Sequence, residues 1–411
     1  MSRQIRQNTQ IKHLAYSAYS AYMLKILFTG GGTLGSVTPL LALAEELRRT
    51  TDYRLQTTVE MLWIGTRKGP ERVLVNTEGI KFFWLWAPKL RRYFDVRNIG
   101  APVLLMLATL WAGLLLLKLS FYRRTKLSFE RPDVIVTAGG FVGVPIAWAA
   151  WWLRIPVLLH NQDVRWSLAN KLVAPVARKI IYALPGTVPA RWKKKAVWTG
   201  NPVRSFIFLG KKDRCLKMCG FTSKRPTILV LGGGTGASRL NEIVSEALPE
   251  LTQDYQVIHL TGKGRHKKGD VPDFSERKIE TSRFFVETSQ FSSHYCALEF
   301  AEKQIADLFA AADLVITRAG MGTLSELAAL GKPMIIVPIP KSHQMDNARY
   351  FEKHSGAIVL DQEALHVEKF IEVVSALLKD SSRLNALSKQ LKTIGKPGAT
   401  EKVAEEILQL V

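Results

Sequence analysis

Two glycine-rich stretches carry the first chemical signal in the sequence. Gly30, Gly32 and Gly35 match G-x-G-x-x-G, and Gly232, Gly234 and Ala237 match G-x-G-x-x-A. Each follows an apolar run and opens a helical pattern. That arrangement turns backbone N–H groups and the positive end of a helix dipole toward an anion such as a phosphate. A dinucleotide oxidoreductase needs an acid at the end of the next strand to hold the ribose. The matching segments here, Trp63-Ile64-Gly65-Thr66-Arg67 and His259-Leu260-Thr261-Gly262-Lys263-Gly264, have none. That counts against NAD and FAD. No G-x-x-x-x-G-K-[ST] occurs, which counts against a P-loop nucleotidase.

Four polar constellations stand at strand ends or joins. His160-Asn161-Gln162-Asp163 offers an imidazole and a carboxylate, and either can serve as a general base. For both, a structural part in orienting the 160s loop is an equal alternative. Thr199-Gly200-Asn201-Pro202-Val203-Arg204 ends on a cation. Thr317-Arg318-Ala319-Gly320-Met321-Gly322-Thr323-Leu324-Ser325-Glu326 reads as a strand-to-helix turn, with Glu326 in the first helical turn, where its charge suits the dipole. A plain helix-start carboxylate is the alternative for Glu326. Lys341-Ser342-His343-Gln344-Met345-Asp346-Asn347-Ala348 follows another apolar run. Cys215, Cys219 and Cys296 are too few for a disulfide framework and point to a reducing compartment. Cys215 and Cys219 lack a second Cys/His pair at zinc spacing and are read as ordinary residues.

Alternating strands and helices must position these residues. Met23–Thr29, Met61–Ile64, Asp133–Ala138 and Val157–His160 read as buried strands, with a helix over Pro39–Leu47. The pattern restarts about 202 residues later with Pro226–Leu231, a glycine turn and a helix through Leu248. Gln256–Leu260, Leu314–Thr317 and Pro333–Val337 read as further strands. The 411 residues suit two domains at roughly 150 residues each. The expected class is α/β: two Rossmann-like, doubly wound domains facing across a cleft, with ligands at the carboxyl ends of the strands. Residues 1–22 read as a polar extension, or as a start-site misassignment with Met23 the true start. Residues 23–200 and 201–394 form the domains, joined near Thr199–Lys212. Residues 395–411 form a closing helix that could pack back on the first domain.

The net charge is +22, and it is uneven. Residues 1–200 hold 29 Lys+Arg against 10 Asp+Glu, and residues 201–411 hold 28 against 25. One half therefore suits anions: nucleic acid, anionic lipid or a phosphorylated substrate, with plain solubility charge as the bland alternative. Ile99–Leu117 is free of charge and is flanked by Arg91, Arg92 and Arg97 before it and by Lys118, Arg123, Arg124 and Lys126 after it. A single span would put two parts of one continuous sheet on opposite sides of a bilayer. The preferred reading is a helix that lies on or dips into the bilayer, ahead of a buried core helix and a true span. Phe82, Phe83, Trp84 and Trp86 read equally as an interfacial cluster or as core aromatics.

Four blocks together carry a family resemblance: Thr29–Pro39, His160–Asn170, Thr199–Arg204 with Gly232–Asn241, and Asp313–Ala348. Over roughly residues 23–410 the chain resembles glycosyltransferase family 28, and within it the MurG-type enzymes of peptidoglycan synthesis. The resemblance implies the GT-B arrangement and transfer of N-acetylglucosamine from its UDP conjugate to undecaprenyl-pyrophosphoryl-MurNAc-pentapeptide. It implies no cofactor and no metal in the nucleotide site, in agreement with the absence of a D-x-D motif. It implies donor contacts from Arg204, Gly233, Gly234, Thr235 and Gly236, Thr323 on the phosphates, and Glu326 on the ribose. Gln344 and the Met321 backbone would read the sugar, and Asn347 would shape that loop. The acceptor pyrophosphate would sit on Gly31, Gly32, Thr33, Leu34 and Gly35.

Two departures bear on catalysis. Leu34 stands where the family has a glycine, and Ser36 where it has a favoured catalytic histidine. The family's H-E-Q-N reads here as His160-Asn161-Gln162-Asp163. Asp163 is the first choice for the base, His160 the second, and Ser36 occupies the third position of interest. The expected chemistry is one inverting displacement through an oxocarbenium-like transition state, with departing UDP stabilised by loop amides, a helix N-terminus and Arg204. The expected location is the cytoplasmic face of the membrane, peripheral, with an anionic lipid surface and a wall-synthesis complex as partners and no nucleic acid. The rival readings are a family 28 synthase acting on diacylglycerol, a catalytically weakened membrane-bound homologue, and an NAD-dependent oxidoreductase.

Overall fold

The structure, a computed structural model, describes residues 23–32, 34–50, 59–88, 100–121, 131–232, 238–262, 285–286, 293–301 and 304–411. Residues 1–22 lie outside them. The chain divides into two compact units. The first takes in residues up to Gln162, then Trp166–Arg204 and Gly398–Val411; the second takes in Asp163–Arg165 and Ser205–Pro397. The division falls a few residues beyond the expected Gly200–Asn201 join. Val203 explains this: its N–H donates to the Thr400 hydroxyl at 3.1 Å, and that hydroxyl donates back to the Val203 carbonyl at 3.2 Å. The chain around Val203 is thereby tied to the C-terminal segment of the first unit.

In the first unit the elements run β1 (Leu24–Thr29), α1 (Thr38–Thr50), β2 (Val59–Gly65), α2 (Glu71–Thr77), β3 (Lys81–Trp84) and α3 (Ala101–Phe121). Then follow β4 (Val134–Thr137), α4 (Gly143–Trp152), β5 (Val157–Asn161), α5 (Leu168–Val173), β6 (Lys179–Tyr182) and β7 (Ala196–Trp198). The sheet order is β3-β2-β1-β4-β5-β6-β7, and every pair is parallel. The order reverses between β1 and β4, the switch point where ligands bind in such sheets. The apolar runs predict the central strands because a parallel sheet is covered on both faces. Leu27, Ile64, Ile135 and Leu159 point into one core, while Ile26, Phe28, Val134 and Leu158 point into the other. Short β3, β6 and β7 are not anticipated by the sequence reading. The paired aromatics divide: Phe82 and Phe83 are half-buried in edge strand β3, and Trp84 and Trp86 are exposed.

The apolar helix α3 packs only one stripe. Ala101, Ala108, Ala112, Leu116 and Leu119 are buried, spaced as one helical face. Small residues on that stripe allow close approach to α4; a Cβ on Gly113 would lie 4.0 Å from Ala149 Cβ. The opposite face exposes Val103, Met106, Leu107, Leu110, Trp111 and Leu114. That rules against the buried-core alternative for this segment. The Trp84 ring meets Trp111 edge to face at 5.4 Å, with the Arg67 guanidinium over it.

The second unit opens with α6 (Lys212–Cys219), β8 (Thr227–Leu231), α7 (Ser238–Asp254), β9 (Gln256–Leu260), β10 (Phe285–Val286), β11 (Tyr295–Leu298) and α8 (Ile305–Ala311). It continues with β12 (Leu314–Thr317), α9 (Met321–Leu330), β13 (Met334–Ile336), α10 (Gln344–Lys353), β14 (Ile358–Val359), α11 (Val367–Lys379) and α12 (Ser381–Ile394). Its sheet order is β10-β11-β9-β8-β12-β13-β14, parallel except for β10 against β11. It too reverses at its first strand, between β8 and β12. The last helix, α13 (Ala399–Leu408), belongs to the first unit.

One buried group in β5 sets an acid limit. His160 lies within the strand, 1% exposed, and neither ring nitrogen has a hydrogen-bond partner among the described residues. Burial pushes its imidazole from the ordinary 6.5 down to about 4. The unfolded chain takes up this proton below about 6.5 and the folded chain only near 4, so stability falls as pH drops through that window. The slope is about 1.4 kcal/mol per pH unit. Relative to wild type, His160→Asn should therefore gain roughly 2 kcal/mol between pH 7 and pH 5, measured by urea unfolding. An equal gap at both pH values would contradict this account.

Candidate active site

In the first unit the site grows from the loop after β1. Trp63, fully buried in β2, donates its indole N–H to the Gly30 carbonyl at 3.0 Å. Gly32 takes φ +84°, and its N–H donates to Glu71 Oε2 at 3.2 Å. Leu34–Ser36 make one tight 3₁₀ turn before α1, with Ser36 buried. Thr33 lies outside the described residues. The loop after β4 meets this one. Gly139 and Gly140 have φ of +92° and +85°, and a Cβ on Gly140 would stand 2.9 Å from the Gly31 carbonyl oxygen. The strand expected at Asp133–Ala138 ends just before this loop, which is not among the expected site segments. Its signal was present: Gly139-Gly140-Phe141-Val142-Gly143 between an apolar strand and a helix.

The loop after β5 completes the cluster. Gln162 Nε2 donates to the Gly35 carbonyl at 2.8 Å, tying the 160s loop to the glycine turn. Ser167 caps α5 by accepting the Asn170 N–H at 3.0 Å. Asn170 Nδ2 in turn donates to Asn161 Oδ1 at 2.9 Å. The far oxygens of both amides, Gln162 Oε1 and Asn170 Oδ1, are buried with no partner among the described residues. The carboxyl ends of β1, β4 and β5 thus gather backbone N–H groups, which suit an anion, and two unpartnered amide oxygens, which suit a donating hydroxyl or N–H of a polar ligand. Arg204 is also grouped with this unit.

In the second unit Asn347 is the hub. It is fully buried in α10. Its Nδ2 donates to Asp163 Oδ1 at 2.9 Å and to the Ala319 carbonyl at 3.1 Å, and its Oδ1 accepts the Val164 N–H at 3.1 Å. Arg165 pairs with Asp346 at 2.7 Å. Asp163 itself is half-buried, with one carboxylate oxygen fixed by this amide. Gln344 opens α10, and its Oε1 accepts the N–H groups of Ala319 and Ile339, both at 3.2 Å. That leaves its amide nitrogen as the end able to donate.

Helix α9 begins at Met321, with extended Gly320 as its cap. Met321 is buried and Thr323 half-buried, in the first turn, where backbone N–H groups have no intrahelical acceptor. Glu326 is buried but stands in the second turn, not the first as the sequence reading expects. The helix starts five residues ahead of it, and no side-chain cap marks that start. Arg318, also buried, donates to the Val337 carbonyl at 2.9 Å and braces the same turn. Gly233, Gly234, Thr235 and Gly236 lie outside the described residues. No group of three or more His, Cys, Asp or Glu able to hold a metal occurs among the described residues.

Comparison with known proteins places the chain. A model of the glycosyltransferase family 28 N-terminal domain matches residues 26–182, and one of the family 28 C-terminal domain matches residues 227–403. A Bacillus cereus protein is 34% identical over 372 residues, 90% of this chain and 95% of that one. It is named UDP-N-acetylglucosamine–N-acetylmuramyl-(pentapeptide) pyrophosphoryl-undecaprenol N-acetylglucosamine transferase 2. A Legionella pneumophila protein of the same name, without the number, is 35% identical over 383 residues, 92% and 94% of the two chains. Among solved structures, Acinetobacter baumannii MurG superposes with a TM-score of 0.68 at 24% identity, covering 94% of this chain and 99% of that one. A Neisseria meningitidis UDP-GlcNAc 2-epimerase bound to UDP-GlcNAc shares the fold at a TM-score of 0.60 and 12% identity, covering 94% and 100%. With both domain models matched in order and relatives a third identical along nearly their whole length, the chain belongs to glycosyltransferase family 28.

Proposed function

We propose that the protein transfers N-acetylglucosamine from UDP-N-acetylglucosamine to the 4-hydroxyl of MurNAc in undecaprenyl-pyrophosphoryl-MurNAc-pentapeptide, with inversion. What carries this reading is the identity of 34–35% over at least 90% of the chain to proteins named for that transfer. The geometry of each unit supports it. In the second unit, the α9 N-terminus and Thr323 would take the donor's phosphates and the buried Glu326 its ribose hydroxyls. The Gln344 amide and the Met321 backbone would read the sugar. Arg204 and Gly233–Gly236 would complete the nucleotide contacts. In the first unit, Gly31–Gly35 would receive the acceptor pyrophosphate.

For the base, Asp163 remains our choice. It is half-exposed, and Asn347 holds one of its oxygens in place. His160 is sealed within β5 and kept neutral, which suits a supporting part under the 160s loop. Ser36 is buried in its turn and has no basic function of its own. Asp163 would take the acceptor hydroxyl's proton as that oxygen attacks the anomeric carbon. UDP leaves as an anion against helix and loop N–H groups, a stabilisation that acts most on the charge developed in the transition state.

We also place the protein on the cytoplasmic face of the membrane, held peripherally by the outer face of α3. Leu114 is 65% exposed and Leu110 49% exposed. A helix buried on one stripe and apolar on the other suits a bilayer boundary.

The transfer is tested by UDP release from UDP-GlcNAc on addition of the lipid-linked MurNAc-pentapeptide, with diacylglycerol and UDP-glucose as controls. Release with diacylglycerol alone would overturn the acceptor. Asp163→Asn should retain donor binding and lose about 10²–10⁴-fold in turnover, and unchanged turnover would sink Asp163 as base. Leu110→Glu with Leu114→Glu should weaken binding to anionic phospholipid vesicles at least about tenfold in co-sedimentation, since each buried leucine contributes about 1.5–3 kcal/mol. Turnover of detergent-dispersed acceptor should stay within about twofold of wild type. Vesicle binding as strong as that of the wild type would refute docking through α3.

A further inference from the structure

We propose that Glu71 is a positioning residue for the acceptor: an internal carboxylate that occupies one end of the first glycine loop and fixes the remaining N–H groups for the pyrophosphate. The inference rests on the reading of that loop as the pyrophosphate site.

Glu71 lies in the first turn of α2 and is fully buried. Its Oε2 accepts the Gly32 N–H at 3.2 Å. Its Oε1 accepts the Thr66 N–H at 2.7 Å and also the Thr66 hydroxyl. Among the described residues no Lys or Arg pairs with it. A buried carboxylate without a cation depends on such donors. Here they come from two separate loops, those after β1 and β2.

The glycines around it have the shape of its pocket. A Cβ on Gly31 would lie 2.3 Å from Glu71 Oε1, one on Gly69 2.0 Å from Oε2, and one on Gly65 3.1 Å from its Cγ. Gly31 does not have a positive φ, so its backbone does not itself demand glycine. What demands it is the room taken by the carboxylate. A motif that reads as a phosphate cradle is thus filled at one end by the protein's own anion.

Two effects on the acceptor follow. The Gly32 N–H is engaged, so the pyrophosphate is directed to the far side of the loop, toward the Leu34–Ser36 turn. The fixed charge behind Gly32 also repels a second anion placed too deep. Glu71 thereby sets where along the loop the pyrophosphate rests, without touching it.

The test is steady-state kinetics of the full chain with UDP-GlcNAc and the lipid-linked MurNAc-pentapeptide. Glu71→Gln keeps the size, removes the charge and turns an N–H donor toward a backbone donor. It should raise the acceptor KM about tenfold to a hundredfold and leave the donor KM within about twofold. Thr66→Val removes one donor to the same carboxylate and should move the acceptor KM the same way by a smaller factor. Gly31→Ala should raise the acceptor KM in the wild-type background and add little in a Glu71→Ala background, a non-additive cycle. An acceptor KM that does not move in the folded variants, a parallel rise in both KM values, or an additive cycle would overturn the role of Glu71. Absence of UDP release by the wild type would instead overturn the functional reading, and the proposal with it.

Discussion

At the switch point of the first sheet, backbone packs on backbone with no side chain between. The loops after β1 and β4 approach so closely that one methylene on Gly140 would meet the Gly31 carbonyl. Everything else in that unit's site depends on this approach. Trp63 holds the near end of the loop by the Gly30 carbonyl, and Gln162 holds the far end by the Gly35 carbonyl. Between those two points the chain turns through a positive φ at Gly32. Glycine there is less a source of flexibility than of thinness, since close-packed interiors leave no room to absorb an added carbon.

The second unit reaches a similar end by different means. Its 319–323 turn is held by amide side chains acting as pieces of backbone. Gln344 collects two N–H groups with a single oxygen, and Asn347 joins two donors and one acceptor to three partners. An amide carries both a donor and an acceptor end, so it can bridge groups of opposite need where a carboxylate or an ammonium could satisfy only one kind. The segment Asp163–Arg165 is caught by this hub, and a carboxylate near the predicted chemistry is oriented by a residue almost two hundred positions away.

Much of this was legible in the sequence, and the gaps have physical causes. The central strands announce themselves because both faces are covered and the runs are apolar throughout. Edge strands such as Ala196–Trp198 are three residues long and half-covered, too short for any period to register. The start of α9 was misplaced because Gly320 caps it without a side-chain oxygen, the usual marker. For α3, an all-apolar stretch declares a helix but not which face is packed; that choice lies in small residues such as Ala108 and Ala112. Asp163, Gln344 and Asn347 were named from their blocks, yet their mutual bonds could not be, because pairing across such separation is set by the fold. Glu71 was invisible for the same reason: in sequence it is one acid in a polar turn, and only the packing of two loops makes it a buried anion.

The placement of α13 has a consequence for how the molecule is made. Val403, Ala404 and Ile407 are buried in the same core as Ile26, Phe28 and Leu40, the first strand and helix of the described chain. During synthesis the first unit has its whole sheet by Trp198 but lacks its last covering helix until Ala399–Leu408 emerges. At about 5–20 residues per second that interval is roughly 10–40 s. For that time an apolar face beside β1 stands open on the ribosome while the entire second unit is being built. The final ten residues of helix therefore act as a closing step, and a nascent chain cut short before them leaves the first unit unsealed.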